Sequence, residues 1–132
     1  MIIGIGCDIT DIRRIKKVFD KFPQKFLERC FTSYERQVIQ NLCSSRKHEF
    51  MAKRFAAKEA FVKALGLGLR NKTSWQDIEI KNTKIGQPFI EVSPKVAHYI
   101  KIYKSCDSNF QIDLSLSDEY PYAQAFVIIS RK

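Results

Sequence analysis

Lys47-His48-Glu49-Phe50-Met51-Ala52-Lys53-Arg54-Phe55-Ala56-Ala57-Lys58-Glu59-Ala60-Phe61-Val62-Lys63-Ala64-Leu65-Gly66 is the stretch on which the fold turns. It contains no proline, it is rich in alanine and lysine, and a glycine stands at its end. That pattern predicts a helix over about 47–65 with Gly66 as its C-terminal glycine. Glu59 and Lys63 are four apart and share a face with Ala52, Ala56 and Ala60. A Glu-to-Lys pair at that spacing is the commonest solvated helix pair, worth about 0.2–0.5 kcal/mol. The alanines add something, because a small-residue face lets another backbone or a ligand come close. Lys47, Arg54 and Lys58 project within the arc of Phe50, Phe55, Phe61 and Leu65. Cations among aromatics either snorkel outward or meet an anion that offsets their desolvation, and three on one stripe favour a phosphate site.

Upstream, residues 2–8 read as a short buried strand. Thr10 is positioned to cap a helix over about 11–22, with Asp11 in its positive first turn. On that helix Ile12, Ile15, Val18, Phe19 and Phe22 form one apolar arc, and Arg13, Arg14, Lys17 and Lys21 lie opposite. Pro23 limits it, and a second helical region is expected at about 33–43. Downstream, Ile78 and Ile80 alternate with charged residues in a strand, and Phe89–Val92 form another. Ser93-Pro94 opens a helix to about Lys104. Phe110, Ile112, Leu114 and Leu116 alternate with polar residues in a further strand, and Tyr122–Ser130 form the last. Helices interleaved with hairpin-linked strands predict a single α+β domain over 1–132, a mainly antiparallel sheet packed with a long central helix.

The 132 residues are 45% hydrophobic and 28% charged, a globular balance that excludes wholesale disorder. The net charge is +9, and residues 1–70 hold 15 basic against 7 acidic side chains. A basic half suits an anionic partner: nucleic acid, a membrane surface, an acidic protein or a phosphorylated small molecule. No stretch is apolar enough to span a membrane, and the N-terminus lacks the basic region of an export signal. Cys7, Cys30, Cys43 and Cys106 match no zinc spacing, so free thiols in the cytoplasm are the expectation.

Asp8, after Gly4-Ile5-Gly6-Cys7, has two readings: a cap for the next helix, or a hard oxygen ligand. Magnesium is commonly held by one or two carboxylates plus substrate phosphates. Asp8 with Glu59 would supply that set, with cations gripping the phosphates, and the chemistry would be phosphoryl-type transfer.

The residues also carry a resemblance. Gly4-Ile5-Gly6-Cys7-Asp8-Ile9-Thr10-Asp11-Ile12-Arg13-Arg14-Ile15 resembles the N-terminal motif of the holo-acyl-carrier-protein synthases, the small class of phosphopantetheinyl transferases. Arg54-Phe55-Ala56-Ala57-Lys58-Glu59-Ala60-Phe61-Val62-Lys63-Ala64-Leu65-Gly66 resembles their second motif, and weaker similarity extends over nearly the whole chain. The resemblance implies Mg²⁺-dependent transfer of 4′-phosphopantetheine from coenzyme A to a serine of apo acyl carrier protein, releasing adenosine 3′,5′-bisphosphate, in support of fatty acid biosynthesis. It implies that Asp8 and Glu59 hold the magnesium and that Lys63 contacts the reacting phosphate. Arg46, Arg54 and Lys58 are then expected near the coenzyme, as are the hydroxyls of Ser115 and Ser117. It further implies a cytoplasmic homotrimer with sites between subunits. One departure stands out: Asp113 and Asp118 occupy positions where the family often has histidine. The general base is left among Glu59, a metal-bound water and another carboxylate.

For the carrier protein, the basic arc of the 11–22 helix is the expected dock, through Arg14 with Arg13, Lys17 and Lys21. Two rival classes compete. A non-catalytic basic module for RNA or an acidic protein explains the charge but not the Asp8, Glu59 and Lys63 set, and the chain lacks recognisable RNA-binding signatures. A peripheral membrane protein would need the apolar arc of 11–22, which is short enough to be spent on the core.

Overall fold

Strand β1 (Ile2–Asp11) runs antiparallel to β5 (Tyr122–Arg131), which pairs on its other side with β4 (Phe110–Glu119), giving the sheet order β1-β5-β4. The computed structural model describes residues 1–66, 73–104 and 109–132. β1 is followed by α1 (Ile12–Lys21), α2 (Pro23–Cys30), α3 (Ser33–Gln40) and α4 (Ser44–Leu65). A 3₁₀ turn (Trp75–Asp77) then leads into β2 (Ile78–Asn82) and β3 (Pro88–Val92), a separate antiparallel hairpin, and α5 (Pro94–Tyr103) precedes β4. The α+β class and the antiparallel pairing match the expectation, with two sheets rather than one.

Helix α4 is the axis of the molecule. Its later half packs with Ile78, Ile80, Ile100, Ala125, Val127 and Ile129, and its earlier residues Met51 and Ala52 pack with Ile12, Ile15, Phe31 and Ile39. Gly66 ends it at φ 84°, as the sequence predicts. Two glycines set how closely it approaches the sheet. A Cβ on Gly4 would lie 2.3 Å from the Ala64 carbonyl oxygen, and one on Gly6 only 1.8 Å from that of Ala60. Glycine at both positions lets strand and helix backbones touch.

Several boundaries differ from expectation, among them the end of α3, at Gln40 rather than about 43. β1 extends to Asp11, and Asp11, not Thr10, caps α1 by accepting from the Arg13 amide. The Thr10 hydroxyl is otherwise engaged, donating to Asp8 Oδ2 at 3.0 Å. Pro23 does stop α1, but it also starts α2, since proline suits the first turn of a helix. Phe22 serves both, closing one helix and opening the next. α4 begins at Ser44, three residues earlier than expected.

Candidate active site

From Gly4 onward the even-numbered residues of β1 face α4 and the odd-numbered ones face away, so Asp8 follows Gly4 and Gly6 onto the helix side. There Lys63 of α4 donates to Asp8 Oδ1 at 3.1 Å and to the Cys7 carbonyl at 3.0 Å. Glu59, one turn earlier on α4, is half-buried. Burial raises its carboxyl above the ordinary glutamate range and the nearby Asp8 charge raises it further, with Lys63 and Arg14 opposing. Asp8, Glu59, Lys63 and Arg14 line one open groove of about 600 Å³, whose apolar walls include Ile15, Val18, Phe26 and Phe55. Three of the sequence-predicted residues therefore meet in space across 55 positions of chain.

Arg14 stands closer to the carboxylates than the sequence suggests. It lies on the groove and its charge reaches Glu59, whereas the helical wheel sets it among the residues opposite the apolar arc. The wheel itself holds the reason: at 100° per residue Arg14 is about 40° from Val18, at the border of the two faces.

A second cavity, about 200 Å³, opens on the earlier half of α4 and is lined by Leu42, Arg46, Glu49, Phe50, Lys53 and Arg54. Arg54 is buried. Its guanidinium lies 3.9 Å from the centroid of the Phe50 ring and donates to Asn82, while its Nε has no partner among the described residues. Burial pushes its pKa down to about 10, which leaves it protonated at neutral pH. A buried cation with a spare donor beside a cavity is suited to an anion.

Lys58 overturns the expectation made for it. Its ammonium is 0% exposed and spends all three protons inside the chain: on Glu35 at 2.6 Å, the Cys30 carbonyl at 2.9 Å and the Trp75 carbonyl at 3.0 Å. A group so enclosed cannot touch a coenzyme in this conformation. Its carboxylate partner Glu35 escaped the sequence reading, since 23 residues separate the two and no periodicity links them.

Ser115 and Ser117 sit on the polar face of β4, as alternation predicts, but that is the side of the sheet turned away from α4. Within one chain they do not join Asp8. Asp113 shares their face and accepts from Gln111. Asp118 is occupied by Lys53 at 2.7 Å, which also meets Glu49, so this aspartate ties the end of β4 to α4. Lys53 holds its carboxyl below the ordinary range.

On α1, Lys17 and Lys21 are exposed, while Arg13 is held in a two-pronged pair with Asp11 at 2.7 and 3.0 Å. Phe22 is 49% exposed, and the ammonium groups of Lys21 and Lys25 lie 5.4 and 6.0 Å from its ring centroid. Phe22 and Lys25 with Val18, Phe26 and Arg29 form a shallow apolar depression rimmed by cations. Lys25 and Arg29 went unnoticed in the sequence because α2 did. Cys7, Cys30 and Cys43 carry free thiols, and Cys106 lies outside the described residues. No helix among the described residues is long and apolar enough to cross a membrane.

Comparison with known proteins matches residues 4–125 to the model of the 4′-phosphopantetheinyl transferase superfamily. A holo-[acyl-carrier-protein] synthase of Nitrobacter winogradskyi is 42% identical over 132 residues, covering 98% of this chain and 95% of the relative. One of Zymomonas mobilis is 45% identical over 130 residues, with 98% and 96% covered. Among solved structures, the Neisseria meningitidis synthase superposes with a TM-score of 0.87 at 34% identity, covering 99% of this chain and all of the other. The Bacillus anthracis synthase, solved in complex with CoA (3′,5′-ADP), gives 0.82 at 38% identity, with 100% and 99% covered. With this agreement in sequence and in fold, the chain belongs to the holo-[acyl-carrier-protein] synthase family of 4′-phosphopantetheinyl transferases, and it is an enzyme of that class.

Proposed function

We propose that this enzyme moves the 4′-phosphopantetheine arm of coenzyme A to a serine of apo acyl carrier protein, releasing adenosine 3′,5′-bisphosphate. The convergence of Asp8, Glu59 and Lys63 in one groove carries the reading. The serine oxygen forms the new bond to phosphorus, the bond to the bisphosphate breaks, and the serine proton leaves to a base.

Magnesium fits the groove. Two hard carboxylates on different elements face one another closely enough for Asp8 to raise the Glu59 carboxyl, a repulsion that a divalent cation relieves. Asp8 and Glu59 would hold the ion, which when bound supplies charge stabilisation to the phosphate oxygens. Lys63, held beside Asp8, brings a positive charge to the same oxygens, and Arg14 adds another from α1. Arg54 and Arg46 are suited to a phosphate of the coenzyme at the second cavity. In support of a coenzyme site, the Helicobacter pylori synthase, 32% identical, is solved in complex with coenzyme A.

Assembly supplies what one chain lacks. The sheet face turned away from α4 exposes Ile5 at 56%, Ile9 at 63% and Phe126 at 41%, an apolar surface that self-association would bury. A homotrimer packed on that face would bring Ser115 and Ser117 of one subunit towards a site of the next. Arg14, Lys17 and Lys21, with the cation-rimmed depression at Phe22, are the dock for an acidic carrier protein. Arg13 contributes less, being spent on Asp11. Cytoplasmic location and service to fatty acid biosynthesis belong to the same reading.

The decisive experiment incubates apo carrier protein with coenzyme A and the enzyme and reads the carrier's mass. A gain of one phosphopantetheine is expected with magnesium and none with excess chelator. Asp8→Ala and Glu59→Ala should lose the gain while keeping the wild-type circular dichroism. Lys63→Ala should lower kcat by about a hundredfold or more. Full transfer by either carboxylate variant, or in chelator, would overturn the metal assignment, and normal kcat in Lys63→Ala would reduce that lysine to a surface ion pair.

A further inference from the structure

Lys58 is withdrawn from the coenzyme, yet it sits next to Glu59 in the helix that carries the site. Its three hydrogen bonds run to three different elements: Cys30 ends α2, Glu35 lies in the first turn of α3, and Trp75 opens the 3₁₀ turn. Glu35 extends the connection. Its Oε1 also accepts from the Thr32 amide at 2.8 Å, closing the α3 cap, and its Oε2 accepts from the Ile80 amide of β2 at 2.8 Å. Both side chains are 0% exposed.

On the opposite side of α4 the polar contacts to the sheet, Lys63 with Asp8 and Cys7 and Lys53 with Asp118, come from partly exposed lysines, and the buried contact is small and apolar. There Ala60 and Ala64 lie on Gly6 and Gly4, and the sheet presents Ala123 and Ala125. Small apolar surfaces set the distance between helix and sheet, but the hydrophobic contact is non-directional, and hydrogen bonds of fixed geometry add the direction it lacks. Glu59 points into the groove from this helix, so its position relative to Asp8 depends on where α4 is stopped. A buried ion pair is a poor way to gain stability, since well-packed apolar residues of the same volume do as well or better. Hydrogen bonds of fixed geometry from three elements are a good way to stop a helix at one rotation.

We infer that Lys58 and Glu35 are positioning residues for the transfer site: their buried pair fixes the rotation and axial placement of α4 and so holds Glu59 in register with Asp8. This inference rests on the metal-site reading of Asp8 and Glu59 given above.

The test separates placement from folding by replacing the whole pair with apolar residues. The double variant Glu35→Met, Lys58→Met leaves no unpaired charge but strands the buried Thr32 and Ile80 amides, so it is expected to melt about 10 °C or more below wild type and is assayed well below its melting temperature. Its KM for coenzyme A should change little, while kcat falls about a hundredfold, the effect of an ångström-scale misplacement. Calorimetric titration of Mg²⁺ into enzyme and coenzyme A without carrier should show metal affinity weakened about tenfold or more. A double variant with wild-type kcat and Mg²⁺ affinity would overturn the inference. Should that variant not fold, Glu35→Gln, which keeps the volume and one acceptor, is measured well below its melting temperature. A fall in kcat at constant KM supports positioning, and unchanged kcat overturns it. Asp8→Ala in the same titration tests the underlying reading: undiminished Mg²⁺ binding there would sink the metal site itself, whatever the pair does.

Discussion

Gly6→Ala should cripple the enzyme by moving two walls of the groove apart. The added methyl would meet the Ala60 carbonyl oxygen at 1.8 Å, the Ala60 carbonyl carbon at 2.8 Å and the Ala64 amide nitrogen at 2.8 Å. All three belong to the α4 backbone, so no side chain can turn aside. Real Cβ atoms essentially never approach closer than 3.0 Å, so strand and helix must separate by at least about 1 Å. Overpacking of this kind costs about 1–3 kcal/mol, and a backbone obstruction belongs at the upper end. For a chain of this length that lowers the melting temperature by about 10 °C. The functional loss should be larger than the stability loss. Asp8 stands two residues beyond Gly6 and Glu59 directly before Ala60, so the same displacement opens the distance between the two carboxylates. A shift of about 1 Å is enough to cost about a hundredfold in rate. Gly4→Ala is the control, because it obstructs α4 at Ala64, with its Cβ 2.3 Å from that carbonyl oxygen, but lies farther from the carboxylates. Both variants would be assayed by carrier mass gain at 15–20 °C below their melting temperatures. The expected order is similar melting losses, with the kcat of Gly6→Ala far below that of Gly4→Ala. A Gly6→Ala enzyme with kcat within about twofold of wild type would refute the claim that backbone contact between β1 and α4 sets the site.

Glu59→Gln should stabilise the metal-free protein at neutral pH. The folded carboxyl binds its proton more tightly than the unfolded one, so stability from this group is fullest below the ordinary glutamate range and falls as pH rises through the raised value. Melting curves should therefore coincide near pH 4 and diverge by pH 7–8, the variant higher; coincidence across the range would remove the carboxylate repulsion. In a second experiment Lys17→Glu with Lys21→Glu should lower kcat/KM for the carrier about tenfold or more at low salt, with KM for coenzyme A within about twofold. The deficit should shrink as salt rises, because the screening length near physiological ionic strength is only about 8 Å. Equal effects on both substrates would abolish the docking role of α1.

The parts of the fold that were legible are those written in local grammar. Gly66 ends α4 because only glycine rests easily at φ 84°, and Ser93-Pro94 starts α5 through a hydroxyl cap and a proline in the first turn. The alternation in β4 correctly sorts Ile112, Leu114 and Leu116 from Ser115 and Ser117. Pro23 shows where local grammar has two meanings. The same fixed φ that ends α1 suits the first turn of α2, and with α2 unread, the cations Lys25 and Arg29 around Phe22 stayed out of sight. Alternation also stops short of the site, because it separates two faces of a strand without saying which one carries Asp8.

The buried stripe of α4 marks the deeper limit. Arg54 and Lys58 are one turn apart, both lie among aromatics, and both are buried, so a phosphate reading applies to each with equal force. Their fates differ because of what arrives from elsewhere in the chain. Around Lys58 the ends of α2 and α3 and the 3₁₀ turn deliver one carboxylate and two carbonyl oxygens, which satisfies three donors and leaves nothing for a ligand. Around Arg54 the end of β2 delivers the Asn82 amide oxygen and α4 itself the face of Phe50, beside an open cavity, which leaves Nε without a partner among the described residues. Desolvation is costly in both places; it is met internally at Lys58, and at Arg54 the proposed coenzyme phosphate would meet it. A cation on an apolar stripe thus signals that compensation exists, and only the tertiary structure tells whether the protein or its substrate provides it.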